Sequence, residues 1–592
     1  MKLRIIRDGG AAAAESRPWE WVAALGLTAV VAALALVRML HAGGLWRDEA
    51  GAVRLATLSS LREVAELFQH EAFPPLFAVA IRSWSRLTGG GDLALRAFGL
   101  AVGLGIAGIL WLNARTTART VPLLSLALLG LDVPFLVFGD SLRGYGMGTA
   151  LILLTYGLLA RLVAPHSEGP DPAARQASLA AWKTPALTML TAIAAIASVQ
   201  VLVGNAALLL ALCTAAAAVA VARRRWLVAA GIAGCGAAAA MSLLPYAAQL
   251  AAARRQWSVI VIYPIGVKQI WRGFIGTVGP RPVLVVWLLM MIAGLTGVAR
   301  ELMRRWRLRR PHQTLAGAVP AKAPEARPGE RTAAVSAERA ETGDVAAFAA
   351  LTIVCVVLAN GVFLERLGYP PRPWYFLGPM ALAASALDTI FGTLSHSRRS
   401  RFAAQRMAAV ALVVAWQAVP LWQNLTTRQT NADLVAQEVA RSAAPQDLVV
   451  VLPWYFGVSF DRYYAGPAPW LTLPEIPDHR IHRYDLLKTR LAAQHPLDDV
   501  LQAVAATLRS GHRVWVAGEA AWPKLGEEVA ILPPAPSSPV GWHDYDYLVA
   551  WSRKFGRFLE RHAVSIATVA VPTGQPVSSL EDLQLSVVQG WH

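Results

Sequence analysis

Long apolar runs separated by short, arginine-bearing polar segments fill the chain as far as residue 424, after which the pattern becomes that of a soluble protein. The runs cover residues 21–40, 97–112, 121–138, 145–160, 185–203, 206–221, 226–244, 283–299, 345–364, 375–391 and 407–422. A helix rises ~1.5 Å per residue and the hydrocarbon layer is about 30 Å thick, so these runs predict about 11 transmembrane helices. Several runs are short, and neighbouring polar residues are expected to extend them. Residues 75–87 are also apolar, but a crossing there would break the alternation of basic loops. They are read as a juxtamembrane or re-entrant helix, and the total reaches about 12–13 if such segments are counted.

Arg115 and Arg119, Arg223 to Arg225, the arginines between Arg300 and Arg310, and Arg398, Arg399 and Arg401 fall on alternate loops, and Lys2, Arg4, Arg7 and Arg17 precede the first run. Positive residues favour the cytoplasm, so the N-terminus and these loops are assigned there. The first loop, 41–96, and the part after the last run are assigned outside. The first run is longer than a signal-peptide core and no A-x-A cleavage site follows, so it is read as an uncleaved helix. Residues 312–344, rich in Ala, Pro, Glu and Arg without apolar periodicity, predict a disordered cytoplasmic linker.

Residues 425–592 show helical spacing at 432–442, 497–509 and 545–562, with strand-like runs at 447–452, 513–517 and 564–571. Helix followed by strand, repeated, predicts a small external α/β domain. Together these features predict a polytopic α-helical membrane protein, residues 1–424, carrying a C-terminal soluble α/β domain, residues 425–592. The C-terminal domain contains no G-x-G-x-x-G and no Walker A string, so nothing supports nucleotide binding there.

Composition agrees with this plan. Hydrophobic residues make up 55% of the 592, and the mean hydropathy is +0.43, beyond what soluble multidomain proteins carry. A net charge of +17 would suit nucleic acid, but the arginines flank apolar runs and act as topology signals, so no nucleic-acid partner is assigned. Cys213, Cys235 and Cys355 lie within apolar runs without metal-ligand spacing and are read as core residues.

Candidate chemistry gathers in the first loop, which reads Gly43-Gly44-Leu45-Trp46-Arg47-Asp48-Glu49-Ala50-Gly51 and then Gln69-His70-Glu71-Ala72-Phe73-Pro74-Pro75. Two carboxylates at a membrane surface are costly unless solvated or paired. They are either a loop charge paired with Arg47 or Arg54, or a general base or divalent-cation ligand where a lipid-borne and a soluble substrate meet. Arg143, Arg281 and Arg372 sit at helix ends on the same assigned face, where a guanidinium either snorkels or clamps a phosphate. Trp271, Trp374, Tyr375, Trp454 and Tyr455 fit an interfacial aromatic belt. The segment 478–482, with His479 and His482, is read as a polar loop. Asp132 is an acid within an apolar run, close to a helix end because Pro134 follows.

The acidic pair after the first helix is followed by Pro74-Pro75-Leu76, by Leu95-Arg96-Ala97-Phe98 opening a helix, by Asp140-Ser141-Leu142-Arg143-Gly144-Tyr145, and by Tyr369-Pro370-Pro371-Arg372-Pro373-Trp374-Tyr375-Phe376 before a late helix. This order resembles the GT-C superfamily of membrane glycosyltransferases, in its branch of protein O-mannosyltransferases and lipid A aminoarabinose transferases (glycosyltransferase family 39-like), over residues 1–424. The resemblance implies hexosyl or pentosyl transfer from a polyprenyl-phosphate-linked donor to a glycan, lipid or protein acceptor, at the outer face of a bacterial inner membrane. It implies Asp48 as base, with Glu49 orienting it or binding a cation. Arg143, Arg281 and Arg372 are then donor-phosphate ligands, and Glu71, His70 and Tyr145 are substrate or metal contacts. A divalent cation is the one cofactor it leaves open. The chain departs from the family where Glu71-Ala72-Phe73 separates His70 from Pro74, and where Gln200 and Asn205 replace a His-Tyr. The other class considered is a transporter or flippase of a lipid-linked glycan precursor. That class calls for mid-membrane ionisable residues and paired halves, of which the sequence offers Asp132 and no repeat.

Overall fold

The computed structural model describes residues 17–71, 74–164, 179–257, 265–309, 329–395, 399–524, 527–536 and 543–592. Helix α1 (Pro18–His41) is the first crossing, with Pro18 and Glu20 in its first turn and Arg38 and His41 in its last, as the helix dipole favours. The first loop then folds into α2 (Arg47–Ala56), α3 (Leu61–Glu71) and α4 (Pro75–Thr88). Helix α4 has 14 residues, too few to cross, and packs between α2 and α5 (Asp92–Ala118), which supports the juxtamembrane reading of 75–87.

The run 121–138 forms two helices and not one: α6 (Leu123–Leu128) and α7 (Val133–Phe138). Pro134 cannot donate a backbone hydrogen bond, and Asp132 caps α7 by accepting from the Phe135 amide at 3.1 Å. A Cβ on Gly130 would lie 2.5 Å from the Leu126 carbonyl oxygen, which pins the break. The segment still runs from one end of α1 to the other. Its α6 end meets Arg406, whose Nη2 donates to the Val121 carbonyl at 2.6 Å and whose Nη1 lies 3.1 Å from Glu20. Its α7 end meets Trp374 through Phe138.

The remaining membrane elements are α8 (Gly144–Val163), α9 (Leu179–Val201), α10 (Asn205–Ala222), α11 (Trp226–Ser242), α12 (Ala247–Trp257), α13 (Val267–Val278), α14 (Arg281–Arg309), α15 (Gly329–Leu367), α16 (Leu377–Ser395) and α17 (Arg399–Leu425). Among the described residues, 10 helices are long and apolar enough to cross a membrane. The stretch expected as a linker is shorter than expected: residues 329–344 belong to α15, and Asp344 accepts from Arg223 Nε at 2.8 Å. Residues 312–328 lie outside the described residues.

The C-terminal domain contains α18 (Ala432–Ser442), β1 (Leu448–Leu452), α19 (Gly457–Tyr463), β2 (Trp470–Thr472), α20 (Tyr484–Ala492), α21 (Asp498–Arg509), β3 (Val514–Gly518), α22 (Asp544–His562), β4 (Ser565–Val569) and β5 (Leu585–Gln589). Its sheet runs β2-β1-β3-β5-β4, with β1 parallel to β2 and β3, and β5 antiparallel to β3 and β4. Side chains alternate across β1: Val450 and Leu452 pack with Phe555 and Leu559, while Val449 and Val451 face Val435 and Val439. Burial on both faces explains why β1 is apolar throughout.

This domain is stitched to the first loop. The Gln429 amide donates to the Ala42 carbonyl at 2.8 Å, the Leu45 amide to the Tyr463 hydroxyl at 2.5 Å, and the Arg47 amide to Glu581 at 2.7 Å. Gly43 stands at φ 70, and a Cβ there would come within 2.6 Å of Arg428 Cζ, so the turn into α2 requires glycine.

Candidate active site

Asp48 and Glu49 occupy the first turn of α2, where the helix N-terminus favours negative charge. Consecutive residues on a helix point about 100° apart, and the two carboxylates meet different surroundings. Glu49 is 1% exposed. Its Oε1 accepts from Arg96 Nη1 at 2.7 Å and from the Leu142 amide at 3.1 Å, while Arg96 Nη2 donates to the Gly44 carbonyl at 2.8 Å. Glu49 therefore ties α2, α5 and the start of α8 together, and its geometry is that of a strut under Asp48.

The Asp48 side chain is 21% exposed. Among the described residues no side-chain hydrogen bond reaches its oxygens. Three basic groups stand back from it: Arg47 Nε, Arg143 Nη2 and His482 Nε2, each 3.9 Å away. Glu71 closes the ring from α3. Its Oε2 accepts from Arg143 Nη1 at 2.6 Å, and its Oε1 lies 3.5 Å from His482 Nδ1. Burial alone would raise the Glu71 carboxyl, but Arg143 and His482 outweigh it and hold it at about 2. Arg143 Nη1 also donates to the Asp48 carbonyl at 3.0 Å. Glu71 thus fixes the guanidinium and imidazole that face Asp48.

Beside this cluster lies a largely apolar cavity of about 420 Å³ between α8, α10, α12 and α15, lined by Tyr145, Leu208, Phe363, Trp374, Arg254 and Arg366 among others. Tyr145 stacks on Trp374 with centroids 5.9 Å apart. Tyr369 lines the same cavity and lies within electrostatic reach of Asp48, as does Tyr484 of the C-terminal domain.

The expected site residues fall into two groups. Asp48, Glu49, Glu71, Arg143 and Tyr145 converge. Arg372, exposed at the cavity rim, interacts with Tyr369. Arg281, expected at the donor phosphate, is instead exposed at the start of α14 and is not among the residues gathered about Asp48. His70 also turns away: its Nδ1 lies 2.8 Å from Gln256 Oε1 and 3.6 Å from Asp485, so it braces α3 against α12 and α20. Arg143, expected on a phosphate, is occupied by Glu71 and Asp48. The residues missed by sequence reading are Arg96, present as part of a motif, and His482, read as a polar-loop residue.

No group of three or more His, Cys, Asp or Glu side chains among the described residues is arranged to hold a metal ion. A dication at Asp48 would sit among two guanidiniums and an imidazole, which is the wrong charge environment for one. The residues present do not fit a divalent cation.

Fold and cluster together define a multi-pass membrane protein with an apolar cavity beside a carboxylate cluster to which a soluble α/β domain contributes His482. No family model matches the chain, and no curated protein matches it significantly. In fold it is similar to ArnT from Cupriavidus metallidurans bound to undecaprenyl phosphate, at 12% identity over 85% of this chain and 94% of that one, with a TM-score of 0.44. It is similar also to the archaeal oligosaccharyltransferase AglB from Archaeoglobus fulgidus in complex with an inhibitory peptide and a dolichol-phosphate, at 13% identity over 84% of this chain and 70% of that one, TM-score 0.41. The arabinofuranosyltransferase AftD from Mycobacteria matches 98% of this chain and 40% of its own at 16% identity, TM-score 0.39. Two of these three are named as sugar transferases, an oligosaccharyltransferase and an arabinofuranosyltransferase. At TM-scores under 0.5 the likeness is one of general plan, and function is argued from this chain's own residues.

Proposed function

We propose that the chain is a glycosyltransferase that moves a sugar from a polyprenyl-phosphate carrier to an acceptor hydroxyl, with Asp48 as general base. The observation that carries this reading is one partly exposed carboxylate without a side-chain hydrogen bond, within electrostatic reach of Tyr145 and Tyr369, which line an apolar cavity together with Arg254 and Arg366. An isoprenoid tail suits the apolar walls between α10 and α15. The phosphate then meets Arg254 and Arg366, with Arg372 at the rim, since Arg143 is engaged and Arg281 is remote.

The chemistry follows from that placement. The acceptor O–H gives its proton to an Asp48 oxygen, the acceptor oxygen forms a bond to the anomeric carbon, and the bond from that carbon to the phosphate oxygen breaks with its electron pair. Arginines stabilise the charge on the departing phosphate.

Among the described residues, the basic clusters read from the sequence lie at the helix ends away from this site: Arg119 after α5, Arg223 after α10, Arg300 to Arg309 at the end of α14, and Arg399 and Arg401 at the start of α17. That arrangement supports a cytoplasmic N-terminus and a site on the outer face of a bacterial inner membrane, with the C-terminal domain outside. The reading is tested with purified protein in lipid nanodiscs and radiolabelled undecaprenyl-phosphate pentoses and hexoses. Transfer by the wild type is expected, with donor KM raised about tenfold or more in Arg254→Ala/Arg366→Ala and kcat lowered as well, since the same arginines stabilise the departing phosphate. Unaltered donor KM in that variant contradicts the phosphate assignment.

A further inference from the structure

A second cavity, of about 350 Å³, lies on the other side of the aromatic wall made by Phe138 and Trp374. Its lining comes from the end of α1, from α7, from the turn between α13 and α14, from late α17 and from residues 578–580 of the C-terminal domain. Neither the sequence motifs nor the proposed reaction uses it. Its volume falls in the range of small-molecule sites, about 300–1,000 Å³.

The lining is unusual in its polar content. Gln417 is 2% exposed, and its Oε1 has no hydrogen-bond partner among the described residues. Asp132 is also 2% exposed, with one oxygen capping α7 and no ion pair among the described residues. Buried acceptors left without donors cost free energy of about 1–3 kcal/mol each, so such atoms are expected to be matched when the site is filled. Arg38, 3% exposed and bonded to the Thr427 carbonyl at 2.7 Å, adds a fixed positive charge to the same cavity.

The Arg38 charge disfavours a free cation, and the buried oxygens of Gln417 and Asp132 disfavour an anion. A neutral ligand with several hydroxyl donors satisfies Gln417 and Asp132 without that conflict. Val133, Pro134, Val137 and Phe138 supply an apolar wall of the kind on which the C–H face of a sugar ring packs. From these features we infer that this cavity is a carbohydrate subsite, holding a neutral sugar unit of a glycan acceptor.

Its position fits that role. The Leu580 carbonyl, on the cavity wall, accepts from Arg47 Nη1 at 2.6 Å, and Arg47 Nε stands 3.9 Å from Asp48. Trp374 lines the donor cavity and touches Phe138 of the second one. Donor and sugar unit thus approach Asp48 from opposite sides of one aromatic wall. Calling the sugar an acceptor rests on the glycosyl-transfer reading, whereas binding of carbohydrate does not.

The test is saturation-transfer NMR and calorimetry on the full chain in nanodiscs, with mannotriose, arabinotriose and maltotriose as probes. At least one trisaccharide is expected to bind the wild type and Asp48→Asn alike, and about tenfold more weakly to Gln417→Leu. Asn424→Trp, at an exposed position on the cavity lining, gives the same loss without altering the buried core and guards against misfolding of Gln417→Leu. No binding of any probe, or equal binding by both cavity variants and the wild type, overturns the inference. Binding that is lost in both variants in a protein that transfers no sugar upholds the subsite and rejects the reaction instead.

Discussion

His482 of the C-terminal domain places its Nε2 3.9 Å from the carboxylate of Asp48 in the first loop. Its Nδ1 faces Glu71 at 3.5 Å. The soluble domain therefore contributes a side chain to the cluster and is more than a lid. With Nδ1 directed at an ionised carboxylate, the imidazole is oriented by Glu71 and presents Nε2 to Asp48.

His482→Gln should fold and insert normally yet lower kcat roughly 10- to 100-fold, with donor KM little changed, because orientation at the reacting centre is lost while the donor cavity is intact. Steady-state transfer assays check this, and a purely structural role would appear as reduced expression with unchanged kcat per folded molecule.

Glu49 and Arg96 behave as a buried pair, 1% and 8% exposed at the side chain. Removing one partner leaves an uncompensated charge beneath α2, so Arg96→Ala should destabilise the protein by about 3–5 kcal/mol. Thermal unfolding of the detergent-solubilised protein measures it. Arg96→Ala paired with Glu49→Leu should recover part of the loss, since the remaining charge is removed as well.

Glu71 gives a pH signature. Its carboxyl sits at about 2 in the folded protein against an ordinary value of 4.5. A depressed acid stabilises the fold above its unfolded value, and that contribution is lost as pH falls from about 4.5 towards 2. Wild-type stability should thus drop across that window relative to Glu71→Gln, and the two should run parallel from pH 5 to 8. A wild-type profile parallel to the variant below pH 4.5 would contradict the ionised ring around Asp48.

Much of the plan is legible in the sequence, because membrane helices and alternating strands write themselves as periodicity. The helix spanning residues Asp544–His562 and strand β3 were expected to within a residue or two. Short elements carry little period: β2 has 3 residues, and the helix break at Gly130 to Asp132 hides inside an apolar run. The site was half legible. Asp48, Glu49 and Glu71 announce themselves as acids beside a membrane, and Arg143 as a cation at a helix start. What the sequence could not convey is which carboxylate is satisfied. Arg96 quenches Glu49 from another helix, and His482 arrives from a loop without periodicity, both through contacts between distant parts of the chain. Arg281 and His70 share the residue types and the membrane face of the true cluster, and tertiary geometry alone sets them apart.

The central claim is that Asp48 removes the acceptor proton. In nanodiscs with a labelled polyprenyl-phosphate sugar that the wild type accepts, Asp48→Asn should cut kcat by about 10²–10⁴ while donor binding by the same protein is retained. Transfer at the wild-type rate by folded, donor-binding Asp48→Asn would contradict it.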